Sequence, residues 1–211
     1  GCYGQTKIET PHIDSLAAAG MLFTQHYVMP VCAPSRYCLM TGLHSGHAYI
    51  RGNHEWGARG NVWSFQAMET NPSLEGQWPI PDTTLTVGKL LQSKGYRTAL
   101  VGKWGLGGPE STGIPNRQGF DYFFGSLCQR QDHQYYPAHL WEDIYRVPLN
   151  NNVQDPAIRF PAGLDPNDSA NYAAYSQEDY APDLMLDAAL RFLDSCKHKP
   201  FFLYFASPLP H

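Results

Sequence analysis

RTALV at residues 97–101 is followed at once by GKWGLGG at residues 102–108. The first run is apolar with β-branched residues, which predicts a short buried strand, and the glycines after it predict a turn. PFFLYFA at residues 200–206 and MLFTQHYV at residues 21–28 predict two more strands. Because helical patterns separate these runs, the sequence favours a mostly parallel sheet.

The clearest helix is predicted at residues 182–197, where Leu184, Ala188, Phe192 and Cys196 fall four residues apart. Further helices are predicted at residues 11–19 after Thr10, at residues 34–41 before Gly42, and from Asp82 or Thr83 to about Lys94. Residues 44–80 and 109–178 show no clear period and are interpreted as long loops, which are usually functional in compact domains. The predicted fold class is α/β, with a mostly parallel central sheet sandwiched between helices.

Composition restricts the classes of function. The chain has 211 residues, of which 43% are hydrophobic and 16% are charged, so a packed globular fold is expected. Its net charge of −4 argues against nucleic acid as a partner, and no run of about 18 apolar residues predicts a membrane span. The chain starts at Gly1 and its last predicted strand has nothing after it to finish a domain, so we expect residues 1–211 to be part of one domain, truncated at both ends.

Three reactive side chains follow predicted strands. Cys32 comes after the strand at residues 21–28, Lys103 after that at residues 97–101, and His211 after the last one. In an open parallel sheet, ligands bind beyond the carboxyl ends of the strands. A nucleophile, a cation and an imidazole at that edge predict a site that processes an anion.

Each of these residues also has a plain structural interpretation. Cys32 precedes a helix start, where free N–H groups and the helix dipole favour negative charge, and Arg36 lies one turn further on. A buried structural cysteine would occupy the same place. Lys103 in a glycine-rich turn is commonly a solvated loop charge. The loop histidines lack the i, i+4 spacing of a helical metal site.

CAPSRYCLMTG at residues 32–42 resembles the signature of the sulfatase family, which is Cys-x-Pro-Ser-Arg, two variable residues, Leu, a variable residue, Thr and Gly. Residues 101–107 resemble the family's second signature, usually Gly-Lys-Trp-His-Leu-Gly. Residues 200–206 with His211 resemble the later strand that presents an active-site histidine, and GFDYFFG at residues 119–125 resembles another common segment. The order and spacing match over essentially the whole chain.

The resemblance implies an alkaline phosphatase-like fold and a sulfuric ester hydrolase that releases inorganic sulfate from a sulfated small molecule or glycan. Cys32 would be converted to formylglycine by the formylglycine-generating enzyme, and one hydroxyl of its hydrate would attack sulfur. Arg36 and Lys103 would offset the developing charge, while His211 would hydrogen-bond the sulfate or protonate the leaving group. Sulfatases of this type usually work outside the cytoplasm, which implies a periplasmic, secreted or lysosome-like location.

The resemblance also implies one calcium ion, bound by the modified Cys32 and activating the attacking hydroxyl. The family's other ligands would lie before Gly1 and after His211, and a hard cation needs about six oxygens. We therefore expect residues 1–211 alone to be inactive. Gly105 stands where many members have histidine, so His133 or another loop histidine is predicted to act as the base instead.

Two alternatives stay open at this point. A phosphate or phosphonate ester hydrolase of the same superfamily would carry the same modified cysteine. A non-catalytic ligand-binding relative is favoured by Gly105 alone. Residues 44–80 and 126–180 are rich in Tyr and Trp, which stack on sugars and favour a carbohydrate ligand, although such residues also fill cores.

Overall fold

The computed structural model describes residues 1–55, 65–156 and 158–209. Within them the α-helices are Pro11–Ala19 (α1), Cys32–Thr41 (α2), Phe65–Thr70 (α3), Val87–Ser93 (α4) and Ala181–Cys196 (α5). The strands are Arg97–Lys103 (β1), Tyr122–Ser126 (β2), His139–Glu142 (β3), Tyr145–Pro148 (β4) and Phe201–Ala206 (β5). Short 3₁₀ helices lie at Ser45–His47, Pro72–Leu74, Pro115–Gln118, Gln131–Gln134 and Ser169–Tyr175.

The strands form one sheet in the order β4-β3-β2-β1-β5. β1 runs parallel to both of its neighbours, with Leu100 opposite Phe123 on β2 and Tyr204 on β5. β2–β3 and β3–β4 pair in antiparallel fashion. The sheet is therefore mixed. Its parallel part consists of β2, β1 and β5, and it includes the strands at residues 97–103 and 201–206.

Helices cover both faces of β1, which explains its continuous apolar run. Because side chains alternate along a strand, Leu100 and Val101 point to opposite faces. Leu100 packs in the cluster that includes Tyr37 and Met40 of α2, and Val101 packs against α5. The predicted α/β class with a sheet between helices is confirmed. No helix in the described part of the chain has both the length and the apolar character needed to cross a membrane.

Most predicted helix positions agree with the structure, and their caps explain the differences. α2 begins at Cys32 rather than Pro34, and it ends before Gly42, whose left-handed backbone (φ 68°) lets its N–H donate to the carbonyl of Cys38 at 2.8 Å. α4 begins later than predicted, because the Thr86 hydroxyl, rather than Asp82 or Thr83, accepts the N–H of Lys89 at 3.2 Å.

Three predictions about regular structure are wrong, one of them the loop predicted at residues 44–80, whose described part contains the helix α3. Residues 21–28 form no strand and have exposed apolar side chains, because no described strand pairs with them. The supposed loop at residues 109–178 contains β2 and the β3–β4 hairpin. The hairpin turns at Asp143, which adopts a left-handed φ of 52°, and its carboxylate accepts the N–H of Phe123 at 2.9 Å. A hydrogen bond of this kind, from a side chain to the main chain of another strand, has no local signature in the sequence.

Candidate active site

A hydrogen bond joins α2 to the carboxyl end of β1. Arg36 lies one turn into α2, and its Nη1 donates to the main-chain oxygen of Lys103 at 2.6 Å. The same Nη1 contacts the hydroxyl of Tyr204 on β5 at 3.2 Å. The guanidinium therefore links one helix and two parallel strands at the edge of the sheet where ligands are expected to bind.

Cys32 is the first residue of α2, and its half-buried thiol is free. The start of the helix is fixed on two sides. The N–H of Ala33 donates to the Asn53 side chain at 3.0 Å, and the Ser35 hydroxyl donates to the carbonyl of Met29 at 2.8 Å. Pro34 is buried beside them. The helix start thus has a fixed position relative to the loops before and after it.

Lys103 ends β1 and is only 1% exposed. Within the residues that the structure describes, its ammonium has no hydrogen-bond partner. Burial lowers the pKa of Lys103, the negative charge of Asp132 opposes that change, as would a thiolate at Cys32, and the Arg36 guanidinium adds to it. A buried ammonium without a hydrogen bond is suited to receive an anionic ligand.

Glycines explain how the strands approach each other so closely here. Gly102 has a φ of 116°, and a Cβ at this position would overlap the main-chain oxygen of Ala206 on β5. A Cβ at Gly125 on β2 would in turn overlap the oxygen of Gly102. Side chains at either position would push the strands apart just before Lys103.

Asp132 lies beside Lys103 and was not predicted as a site residue. It is fully buried in the 3₁₀ turn Gln131–Gln134, and the Ser126 hydroxyl donates to its Oδ1 at 2.5 Å. Burial raises the pKa of Asp132 to about 6, although the Ser126 hydrogen bond and the charges of Lys103 and Arg36 act to lower it. The neighbouring His133, which was predicted as the base, has an exposed side chain.

The space beside Gly105 is filled by Gln129. The Gly105 N–H donates to the carbonyl of Leu127 at 3.2 Å, so the loops after β1 and β2 run side by side. Gly105 has a φ of 78°, and a Cβ there would lie 2.7 Å from Oε1 of Gln129. Gln129 is 2% exposed, and its Oε1 has no hydrogen-bond partner among the described residues. A carboxamide therefore occupies the place next to the missing side chain.

A buried polar network surrounds His139 on β3. The Glu75 carboxylate accepts the indole N–H of Trp141 at 2.8 Å and lies 2.9 Å from Nε2 of His139. Arg146 contacts Nδ1 of His139 at 2.8 Å, and because arginine only donates, Nδ1 is the acceptor and Nε2 carries the proton. The network joins the β3–β4 hairpin to the segment before β1.

Metal ligands are scarce in the described ranges. No three His, Cys, Asp or Glu side chains of residues 1–55, 65–156 and 158–209 form a cluster that could hold a metal ion. Calcium takes six to eight oxygen ligands, so the described residues do not fit such an ion. His211, the third residue predicted at this edge of the sheet, lies outside the described residues.

The chain is similar to known proteins of one family. The sequence profile of the family described as Sulfatase matches residues 1–211. Human arylsulfatase A is 34% identical over 225 aligned residues, which cover 100% of this chain and 38% of that protein. N-acetylglucosamine-6-O-sulfatase of Bacteroides thetaiotaomicron is 29% identical over 212 residues, covering 100% of this chain and 28% of that protein. The chain thus spans less than two fifths of the length of these relatives.

Solved structures agree as well. A protein of glycosaminoglycan metabolism in Bacteroides thetaiotaomicron superposes with a TM-score of 0.66 at 24% identity, over 100% of this chain and 48% of that one. A second structure, in complex with its substrate D-glucosamine-2-N,6-O-disulfate, gives a TM-score of 0.60 at 26% identity, over 100% of this chain and 31% of that one. The predicted alkaline phosphatase-like architecture of a sheet between helices is confirmed by these likenesses.

Proposed function

Because the chain belongs to the sulfatase family, we propose that the whole protein is a sulfuric ester hydrolase whose nucleophile is a formylglycine made from Cys32. The observation that carries this proposal is the position of Arg36 and Lys103. α2 begins with Cys32, and its Arg36 hydrogen-bonds the main-chain oxygen of Lys103 at the end of β1. The Lys103 ammonium is buried there. Residues 1–211 are then part of the catalytic domain.

The formylglycine-generating enzyme would act on Cys32 during maturation. The hydrated aldehyde carries two hydroxyls on one carbon. One hydroxyl attacks sulfur, the bond from sulfur to the alcohol oxygen breaks, and the alcohol leaves with a proton. The second hydroxyl then loses its proton, the carbon–oxygen bond to the sulfate breaks, and the aldehyde and inorganic sulfate are released. A simple serine or cysteine nucleophile would leave a stable ester without this exit.

The chain's own residues have distinct parts in this scheme. Arg36 and Lys103 offset the charge on the sulfuryl oxygens, since hydrogen-bond donors held in a dry site stabilise developing charge. His211 hydrogen-bonds the sulfate or protonates the leaving oxygen. His133 deprotonates the second hydroxyl, which requires it to turn inward from its exposed position.

The family's calcium ion needs ligands beyond the described residues, which contain no cluster of three or more His, Cys, Asp or Glu side chains. The modified Cys32 would supply one or two oxygens, and other segments of the protein would supply the rest. Residues 1–211 without those segments are expected to bind calcium weakly and to release no sulfate.

A sulfated carbohydrate is the proposed substrate class. Among the relatives is an N-acetylglucosamine-6-O-sulfatase, and one solved relative holds a disulfated glucosamine. The chain also places aromatic rings directly after the Asp132 turn, where Tyr180 lies 6.1 Å from Tyr135 and 5.2 Å from Tyr136 between ring centroids. Such rings stack on sugars. The proposed location is periplasmic, secreted or lysosome-like, as the family resemblance implies.

Two cysteines on the same helix allow a matched test. The whole protein is made in a host that produces formylglycine, and its peptides are examined by mass spectrometry. We expect an aldehyde at residue 32 and a thiol at Cys38, which is half-buried on α2. Cys32→Ala should abolish sulfate release from 4-nitrophenyl sulfate, whereas Cys38→Ala should retain it.

Each alternative has its own outcome in this experiment. An unmodified Cys32 thiol throughout, or undiminished sulfate release by Cys32→Ala, refutes the proposed nucleophile. Faster hydrolysis of 4-nitrophenyl phosphate than of the sulfate ester would identify a phosphate ester hydrolase instead. A wild-type protein that releases neither anion would be the non-catalytic relative.

A further inference from the structure

Lys103 and Asp132 are two oppositely charged side chains, both buried, near the carboxyl end of the parallel strands. The exposed fraction is 1% for Lys103 and 0% for Asp132. Within the described ranges, Nζ of Lys103 and Oδ2 of Asp132 each lack a hydrogen-bond partner. Buried polar atoms are seldom left without partners, so two of them at one place indicate a site that is completed by something else.

Strand register fixes where this carboxyl lies. Lys103 and Ser126 are directly paired as the last residues of β1 and β2. The Ser126 hydroxyl donates to Oδ1 of Asp132 at 2.5 Å, which holds the carboxyl beside the end of β1 and leaves Oδ2 for another donor. The Trp104 N–H donates to the Ser126 carbonyl at 3.0 Å, which keeps the two segments together directly after the end of β1.

The other charged groups around Lys103 do not balance its charge. Arg36 lies on α2 and is itself cationic, so it disfavours the ammonium. Cys32 and Cys128 favour the ammonium only when they are thiolates, and burial raises the pKa of Cys128 to about 12. Glu75 faces Asp132 and disfavours the ionised carboxylate there. Asp132 is therefore the carboxylate best placed to stabilise the Lys103 ammonium.

We propose that Asp132, held by Ser126, is a positioning residue of the reaction site that keeps Lys103 protonated until an anion arrives. The inference rests on the proposed function, since it assumes that Lys103 receives the sulfate group. It follows that loss of the carboxylate makes Lys103 lose its proton at a lower pH. Affinity for a sulfate anion is then lost at a lower pH as well, without any change to the nucleophile.

The test measures binding of inorganic sulfate to the whole protein by calorimetry from pH 6 to pH 9.5. We expect Asp132→Asn to shift the loss of affinity at high pH downward by about one pH unit or more, which is an affinity about tenfold lower than that of the wild type where the loss is under way. In a Lys103→Arg background the same substitution should cause no shift, because a guanidinium stays charged over this range. Glu142→Gln, which removes an exposed carboxylate at the end of β3, should also cause none.

The outcomes that overturn the proposal are specific. A folded Asp132→Asn protein whose affinity follows the wild-type pH curve would show that Lys103 does not depend on this carboxylate. A shift that persists in the Lys103→Arg background would show that the effect of Asp132 does not act through Lys103. A wild type that binds no sulfate would contradict the assumption that Lys103 receives the anion, and with it the proposal. Asp132→Ser is measured in the same way if the Asn variant does not fold. Sulfate binding needs no turnover, so failure of the proposed hydrolysis would be seen separately in the ester assay.

Discussion

The Arg36 guanidinium donates to the main-chain oxygen of Lys103 across 67 residues of sequence, at 2.6 Å. The bond fixes the first turn of α2 relative to the end of β1, so the nucleophile position and the buried ammonium move together. The same nitrogen also contacts the hydroxyl of Tyr204. One arginine thus positions three elements of the site and, in the proposed reaction, offsets charge on the sulfate.

Arg36→Lys should separate these contacts. A lysine has one nitrogen and cannot reproduce the planar fork of the guanidinium. We expect kcat/KM for an aryl sulfate to fall about 10²-fold, as is typical when one donor of a charge-stabilising site is lost. The free energy of unfolding should fall by about 1–2 kcal/mol. Arg97→Lys, at the exposed opposite end of β1, is the matched control and should change neither quantity appreciably.

Placing a histidine at position 105 should destabilise the protein, because the new side chain would collide with Gln129. A Cβ at Gly105 lies 2.7 Å from Oε1 of Gln129, and the φ of 78° adds backbone strain. Gly95→His is the matched control, since Gly95 has a φ of 82° and nothing within 4 Å of its Cβ position. We expect Gly105→His to cost about 1–2 kcal/mol more than Gly95→His in urea denaturation.

The double variant Gly105→His/Gln129→Ala measures that contact directly. Removing the carboxamide should recover about 1 kcal/mol of the loss, which a double-mutant cycle detects as a coupling energy. Strictly additive effects would mean that Gln129 does not occupy the space beside position 105.

Asp132→Asn should gain stability relative to the wild type as the pH rises from 4 to 7. The pKa of Asp132 is raised from 3.8 to about 6, so the folded chain holds this proton more tightly than the unfolded chain does. Stability from this group is therefore present at low pH and is lost as the pH rises from about 4 to 6. The variant lacks this loss. Its free energy of unfolding relative to the wild type should therefore rise by on the order of 2 kcal/mol between pH 4 and pH 7. Denaturation curves of variant and wild type at both pH values test this sign, and a difference in stability that does not move in the variant's favour between pH 4 and pH 7 would contradict it.

His139→Ala should be strongly destabilising although it lies outside the reacting groups. His139 is 3% exposed and lies 2.9 Å from the fully buried Glu75 carboxylate. Leaving a buried carboxylate without one of its hydrogen-bond donors costs about 1–3 kcal/mol, and the cavity left by the imidazole adds to this. His133→Ala, in the neighbouring turn but exposed, should change the free energy of unfolding by about 0.5 kcal/mol or less. Equal effects of the two substitutions would show that the network contributes no stability.

The parallel half of the fold is predictable because its signals are local. β1 is a buried run followed by glycines, and α5 has a regular apolar face, so each is visible within its own segment. β3 and β4 have four residues each, and their pairing depends on the turn at Asp143. Their pattern is too short to stand out among the tyrosines and asparagines around them.

The site residues also fall into those with a local signal in the sequence and those without one. Lys103 follows from a strand end, and Cys32 and Arg36 follow from a helix start and a family signature, since the strand predicted before Cys32 does not form. Asp132 and Gln129 do not, because their importance comes from burial against β1 and from the main-chain bonds that join the loops after β1 and β2. An acidic residue beside a histidine in a polar loop gives no sign of which side chain will turn inward.

The segment Pro34-Ser35-Arg36 has a consequence for the order of events during biosynthesis. In the native fold Pro34 is buried, the Ser35 hydroxyl bonds to Met29, and Arg36 bonds to Lys103 and to Tyr204, which is 168 residues further along the chain. A maturation enzyme that reads these side chains cannot reach them once those bonds have formed. Under the proposed function, conversion of Cys32 would therefore take place on the nascent, still extended polypeptide, before β5 joins the sheet.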